Sequence, residues 1–160
     1  MGKLKISREG KKEWVKLEQQ LSEELERLMK KGAPRAEHDP PIPTSPGIYL
    51  FVDKGTPIYV GQSRNLRARL ANHCRPSGGH TSASLAFNIA KAKYKGEDLP
   101  KTRAEIQAHP GFERLFTAAK ASLNRMEVRW IEVDSPELRT VLEVYIAVLL
   151  NTKYNSFETH

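Results

Sequence analysis

Residues 47–61 read GIYLFVDKGTPIYVG, two short apolar runs on either side of Asp53-Lys54-Gly55. Both runs are enriched in Ile, Val, Tyr and Phe, the side chains that pack well on a pleated surface. They read as a β-hairpin. A three-residue loop with Gly55 in the left-handed position predicts Val52 opposite Thr56, Leu50 opposite Ile58 and Tyr49 opposite Tyr59. Opposed residues have Cβ atoms about 5 Å apart, so the hairpin brings two phenols together.

Downstream, Ser63 is a candidate N-cap for a helix running to His73, with Leu66 and Leu70 as its inward row. Arg69 and His73, four residues apart, share another face. The stretch CRPSGGHTS is a loop, and residues 82–94 and 110–125 read as helices joined by a polar segment around Gly96 to Arg103. MEVRWIEVD, residues 126–134, is a third strand. Ser135-Pro136-Glu137 then opens a helix to about Leu150, with a cap, a first-turn proline and an acid at the positive end. Upstream, Trp14, Leu17, Leu21, Leu25 and Leu28 recur at helical spacing, ending at Lys30-Lys31-Gly32 before Pro34. The organisation expected is an amphipathic helix over 1–32, a proline-rich linker over 33–45, and one domain over 46–160. That helix packs on the domain, or pairs with a second copy as a homodimer, or forms a DNA-contacting arm.

Composition narrows the partners. The chain has 160 residues and a net charge of +7. Residues 62–103 hold nine Lys/Arg against two acids, an excess equal to that of the whole chain. So local a field attracts phosphate backbones, although a solvated lysine-rich surface has the same composition. No apolar run approaches the roughly 20 residues that span a bilayer. No apolar core follows the basic start, and the single cysteine, Cys74, fits a reducing compartment, so the expected location is cytoplasmic.

Glu143 lies inside TVLEVYIAVLL, residues 140–150, where apolar neighbours leave little polar face. A carboxylate buried there must be paired, protonated or bound to a metal. Arg139, one helical turn earlier, is the plain structural partner. Gly61, between a strand and a helix start, could let a phosphate approach free backbone N–H groups, with Arg69 as a bidentate fork. A solvated helix face explains Arg69 and His73 as well, and tyrosines in strands are commonly core. His73, Cys74 and His80 are too few for a zinc site.

Taken together, Gly47-Ile48-Tyr49, Tyr59-Val60-Gly61, the segment QSRNLRARLANH with Arg69 and His73, and Glu143 followed by Asn155 resemble the GIY-YIG nuclease family, as a stand-alone or restriction-like member. The resemblance covers residues 46–73 and 126–156, with a helical insertion over 74–125. It implies an α/β (α+β) domain with a small three-stranded antiparallel sheet flanked by helices. It also implies hydrolysis of nucleic-acid phosphodiesters, double-stranded DNA foremost, with Mg2+ or Mn2+ as cofactor. Glu143 would be the metal ligand, Arg69 the phosphate clamp and Asn155 a supporting polar residue. Tyr49 and Tyr59 would position or deprotonate water, and His73 matches a histidine of some homing and restriction members. Gln62 departs from the lysine that repair members often carry. The substrate would lie along Gly61, Gln62, Arg64, Arg67, Arg75, Lys91, Lys93 and Lys95. A silent nucleic-acid-binding module and a protein-interaction domain are the competing readings.

Overall fold

The computed structural model describes residues 5–30, 32–38 and 41–157. In chain order the elements are α1 (Arg8–Leu28), β1 (Ala33–Pro34), a 3-10 turn (Arg35–Glu37), β2 (Gly47–Asp53), β3 (Thr56–Ser63), α2 (Leu66–Cys74), α3 (Ser84–Lys93), α4 (Arg103–Ala108), α5 (Pro110–Leu123), β4 (Glu127–Glu132) and α6 (Pro136–Leu149). The sheet is antiparallel throughout, in the order β1-β4-β2-β3.

It has four strands rather than the expected three. Ala33 and Pro34 pair with Val128 and Glu127 at one edge. Proline lacks an N–H and is tolerated only where no ladder bond is required of it, which an edge position allows. The rest of the proline-rich stretch also has work to do. The carbonyls of Ser45 and Pro43 accept from the N–H groups of Leu66 and Arg67, and Arg67 Nε donates to Ile42 O at 2.7 Å.

The hairpin register differs from the one expected. Lys54 (φ 50°) and Gly55 (φ 82°) both have positive φ, so they form a two-residue turn between Asp53 and Thr56. This is the turn whose twist suits a hairpin. A bulge between Phe51 and Val52 then shifts the pairing, so that Phe51 faces Tyr59 and Tyr49 faces Gly61. The phenols remain neighbours diagonally, with ring centroids 6.2 Å apart.

Alternation along β2 divides the core between two faces. Tyr49 and Phe51 pack with α2, α3 and α5 around Phe87, Phe112 and Leu123. Ile48, Leu50 and Val52 pack with α6 and with Leu21 and Leu28 of α1. The amphipathic stripe of α1 is therefore covered within its own chain, apart from Trp14, which stays 52% exposed. Lys120 of α5 is buried, and its ammonium group donates to Pro76 O (2.5 Å) and Gly78 O (3.1 Å). It thereby ties the loop after α2 to the helical insertion.

β3 is the free edge of the sheet, and exposed edges invite unwanted pairing. Here the segment after α6 covers it. Asn155 Nδ2 donates to Val60 O (2.8 Å), while its Oδ1 accepts from Val60 N–H (2.9 Å). Tyr154 N–H donates to Ile58 O (3.1 Å). Thr152 Oγ1 donates to Asn155 Oδ1 and fixes the amide.

Candidate active site

The site straddles β3. On the inner side lies a dry cluster. Tyr49, 1% exposed, has its hydroxyl 2.8 Å from His73 Nε2 and accepts from Arg69 Nε at 3.2 Å. Burial, then the neighbouring Tyr59, pushes the Tyr49 phenol well above the usual tyrosine range, despite the opposing pull of Arg69. Burial first and Arg69 second depress His73 to about 3, so its ring is neutral. Arg69 can only donate, so the Tyr49 oxygen accepts there, while the ring tautomer of His73 sets the direction of the Tyr49–His73 bond. Nδ1 is buried with no partner among the described residues. Gly61 makes this packing possible: a Cβ there would lie 2.5 Å from Tyr49 Cζ and closer still to the hydroxyl.

Arg69 is half-buried on α2. Besides Tyr49, it donates from Nη1 to Ser82 O (3.2 Å) and from Nη2 to Ser84 Oγ (3.4 Å). Three of its five N–H groups are thus engaged, leaving one on each terminal nitrogen. Burial works against its charge, but Tyr49 and Tyr59 more than offset this and raise its pKa.

On the outer side is a cavity of about 320 Å³ whose lining includes Tyr59, Ser84, Arg103, Glu143 and Asn155. Glu143 is half-buried on α6. Its Oε2 accepts from Gln62 Nε2 at 2.8 Å. Among the described residues no donor reaches Oε1. Burial raises the Glu143 pKa, with Gln62 and Arg69 pulling the other way. Arg139 is not its partner. That side chain is buried and donates from Nη1 to Val133 O and Asp134 O, both at 2.8 Å.

Several expected positions fall elsewhere. Gly61 lies inside β3, not before a helix, and is buried beneath Tyr49. The N-terminus of α2 offers no free N–H for a phosphate. Leu66 and Arg67 are taken by backbone carbonyls, and Ala68 N–H is taken by the Asn65 side chain, which replaces Ser63 as the cap. Arg64, Arg75, Lys93 and Lys95 are exposed but line neither this cavity nor its neighbour. Lys91 lines an adjoining cavity of about 790 Å³ with Lys101, Arg103 and Lys153, none of which the motif spacing singled out. Lys101 and Arg103 fall in the basic segment 62–103, whereas Lys153 lies outside it.

Among the described residues, no group of three or more His, Cys, Asp and Glu side chains is placed to hold a metal ion. Among the described residues, Glu143 is the one carboxylate lining the 320 Å³ cavity. Such a donor set does not fit zinc. It does fit a hard cation such as magnesium, which binds few protein carboxylates and keeps waters and substrate phosphates.

An antiparallel sheet that presents this Tyr–Tyr–Arg–Glu set defines a GIY-YIG domain, a class of phosphodiester-hydrolysing endonucleases. Residues 45–108 match the family model described as a UvrC-like GIY-YIG domain, which makes that stretch a GIY-YIG domain. The UvrC-like branch is matched although Gln62 departs from its usual lysine. UvrABC system protein C of Paenarthrobacter aurescens is 30% identical over 119 residues, which is 71% of this chain and 15% of that protein. The Deinococcus radiodurans protein of the same name is 46% identical over 39 residues, 24% of this chain and 6% of that one. The chain therefore spans a small fraction of either relative. The magnesium-bound GIY-YIG N-terminal endonuclease domain of UvrC from Thermotoga maritima is 20% identical, with a TM-score of 0.41, covering 88% of this chain and 97% of that one.

Proposed function

We propose that the chain is a divalent-metal-dependent endonuclease that hydrolyses phosphodiester bonds of DNA. The observation that carries this reading is the shared cavity: Glu143 of α6 and Tyr59 of β3 line one hollow although they come from opposite faces of the sheet. A packing role alone would not need a carboxylate and a phenol converging there.

Residue roles follow from the geometry. Glu143, with Oε2 held by Gln62 and Oε1 unpaired among the described residues, is the ligand for Mg2+ or Mn2+. Such a cation supplies Lewis-acid stabilisation of charge on phosphate oxygens. Tyr59, half-buried and facing the cavity, orients the attacking water and, after passing its own proton to solvent, takes one from that water. Tyr49 is excluded from that task, because its hydroxyl is spent on His73 and Arg69 and burial keeps it protonated. It is a scaffold for Arg69 instead. The two remaining N–H groups of Arg69 stabilise the phosphoryl oxygens as charge develops in line with the breaking P–O bond. Asn155 holds the β3 edge beside Tyr59, through Val60.

The test is incubation with supercoiled plasmid, with and without magnesium. Wild-type protein is expected to give nicked or linear product only with the metal. Glu143→Ala is expected to lose about 10³-fold or more of that activity, since Lewis-acid stabilisation is worth several kcal/mol. Normal cutting by the variant would remove Glu143 from the metal site.

A further inference from the structure

The 790 Å³ cavity is larger than the catalytic one and differs in character. Four cations line it: Lys91 of α3, Lys101 and Arg103 at the start of α4, and Lys153 of the segment that covers β3. No carboxylate is among the described residues that line it. Asn88, Arg103, Tyr154, Asn155 and Ser156 line both cavities, so the two form one hollow with a catalytic end and a basic end.

Two features separate this arrangement from a solvated helix face. The cations come from three separate segments, and like charges gathered around a concavity repel one another unless an anion lies between them. Arg103 is also held in place. Its guanidinium stacks 4.1 Å from the Phe87 ring centroid, and Nη2 donates to His80 O at 3.0 Å. His80 is itself fixed, since its backbone N–H donates to Gln107 Oε1 at 2.7 Å. A held arginine keeps a preorganised fork for phosphate oxygens.

We propose that the basic chamber binds backbone phosphates of the DNA strand next to the scissile bond, with Arg103 shared between the flanking and the reacting phosphate. This rests on the endonuclease reading and names the subsite that extends it. The chamber uses Lys101, Arg103 and Lys153, in place of Arg64, Arg75, Lys93 and Lys95, as the substrate track. Phosphate contacts of this kind position a strand and do not read its sequence.

The experiment measures binding of a fluorescent DNA duplex by anisotropy, in chelator to prevent cleavage, across a salt series. Each phosphate-bound cation removed lowers the slope of log K against log salt by about 1. Lys91→Ala/Lys101→Ala/Lys153→Ala is expected to lower it by about 3, and Arg103→Gln by about 1. Lys12→Ala, on the helix covering the other face of the sheet, is expected to leave it unchanged. The three lysines are exposed or project from exposed segments, so the triple variant also guards against misfolding of the Arg103 variant. An unchanged slope in the triple variant, or wild-type binding that ignores salt, overturns the chamber. Cleavage in magnesium is read separately. Salt-dependent binding through these residues without cleavage sinks the nuclease reading and supports the phosphate site. Cleavage with an unchanged slope does the reverse.

Discussion

The two tyrosines that open and close the hairpin are chemically identical and structurally opposite. Tyr49 lies on the central strand, sealed among His73, Arg69, Phe51 and Gly61. Tyr59 lies on the edge strand and faces a cavity with Glu143, Arg103 and Asn155. One phenol is buried and paired with two side chains, the other is half-buried and opens onto the cavity. The difference shows how a small sheet divides labour: the inner strand sets geometry, and the edge strand meets substrate. Removing a group from the inner side should therefore appear chiefly as lost stability, and from the outer side as lost turnover.

The sharpest break of that contrast is Tyr59→Phe. A general base is worth roughly 10²–10⁴-fold, so kcat should fall by that factor while the melting temperature stays nearly unchanged. Equal loss of both would mean that Tyr59 is core. Next comes Gly61→Ala. The added methyl meets a buried ring held by two hydrogen bonds and cannot be accommodated by a simple swing. Overpacking of this kind costs about 1–3 kcal/mol, and denaturant unfolding measures it. Tyr49→Phe keeps the ring and deletes the hydroxyl, leaving Arg69 Nε and His73 Nε2 short of a partner. About 1–3 kcal/mol of stability should go, with a smaller loss of rate than for Tyr59→Phe. A rate loss equal to or greater than that of Tyr59→Phe would reverse the assignment of roles.

The last effect concerns acid. His73 is neutral in the fold with its pKa lowered to about 3, whereas an unfolded histidine titrates near 6.5. Between those values the unfolded chain binds the extra proton, so stability falls as pH falls through that window. The slope contributed is roughly 1.4 kcal/mol per pH unit. Melting temperatures measured from pH 7 down to 4 should show this slope in the wild type and a shallower one in His73→Phe. Identical slopes would show that the ring is not held neutral.

The sequence made some of this plain. The strand pair, the capped start of α6 at Ser135-Pro136 and an amphipathic α1 each carry local chemistry strong enough to read. The register was not legible, because it depends on Lys54 adopting a left-handed φ that glycine or asparagine would have advertised. β1 was hidden by its brevity and its proline. Glu143 stood out through burial, but its partner did not. Arg139 looked available at one helical turn and is instead consumed by the carbonyls that follow β4. Gln62 approaches from a different strand, a contact set by tertiary packing. Arg103 and Lys153 were invisible for the same reason: they lie 50 residues apart and meet only once α4 and the segment after α6 are in place.

The amide of Asn155 completes the ladder of β3 where a fifth strand would otherwise dock. Together with the Tyr154 N–H, that side chain keeps the edge of β3 from serving as a template for sheet growth. A chain clipped within residues 152–155 would present the naked margin of β3 to its neighbours. Misassembly and loss of the Tyr59 environment would then arrive together, so selection for catalysis would also police self-association.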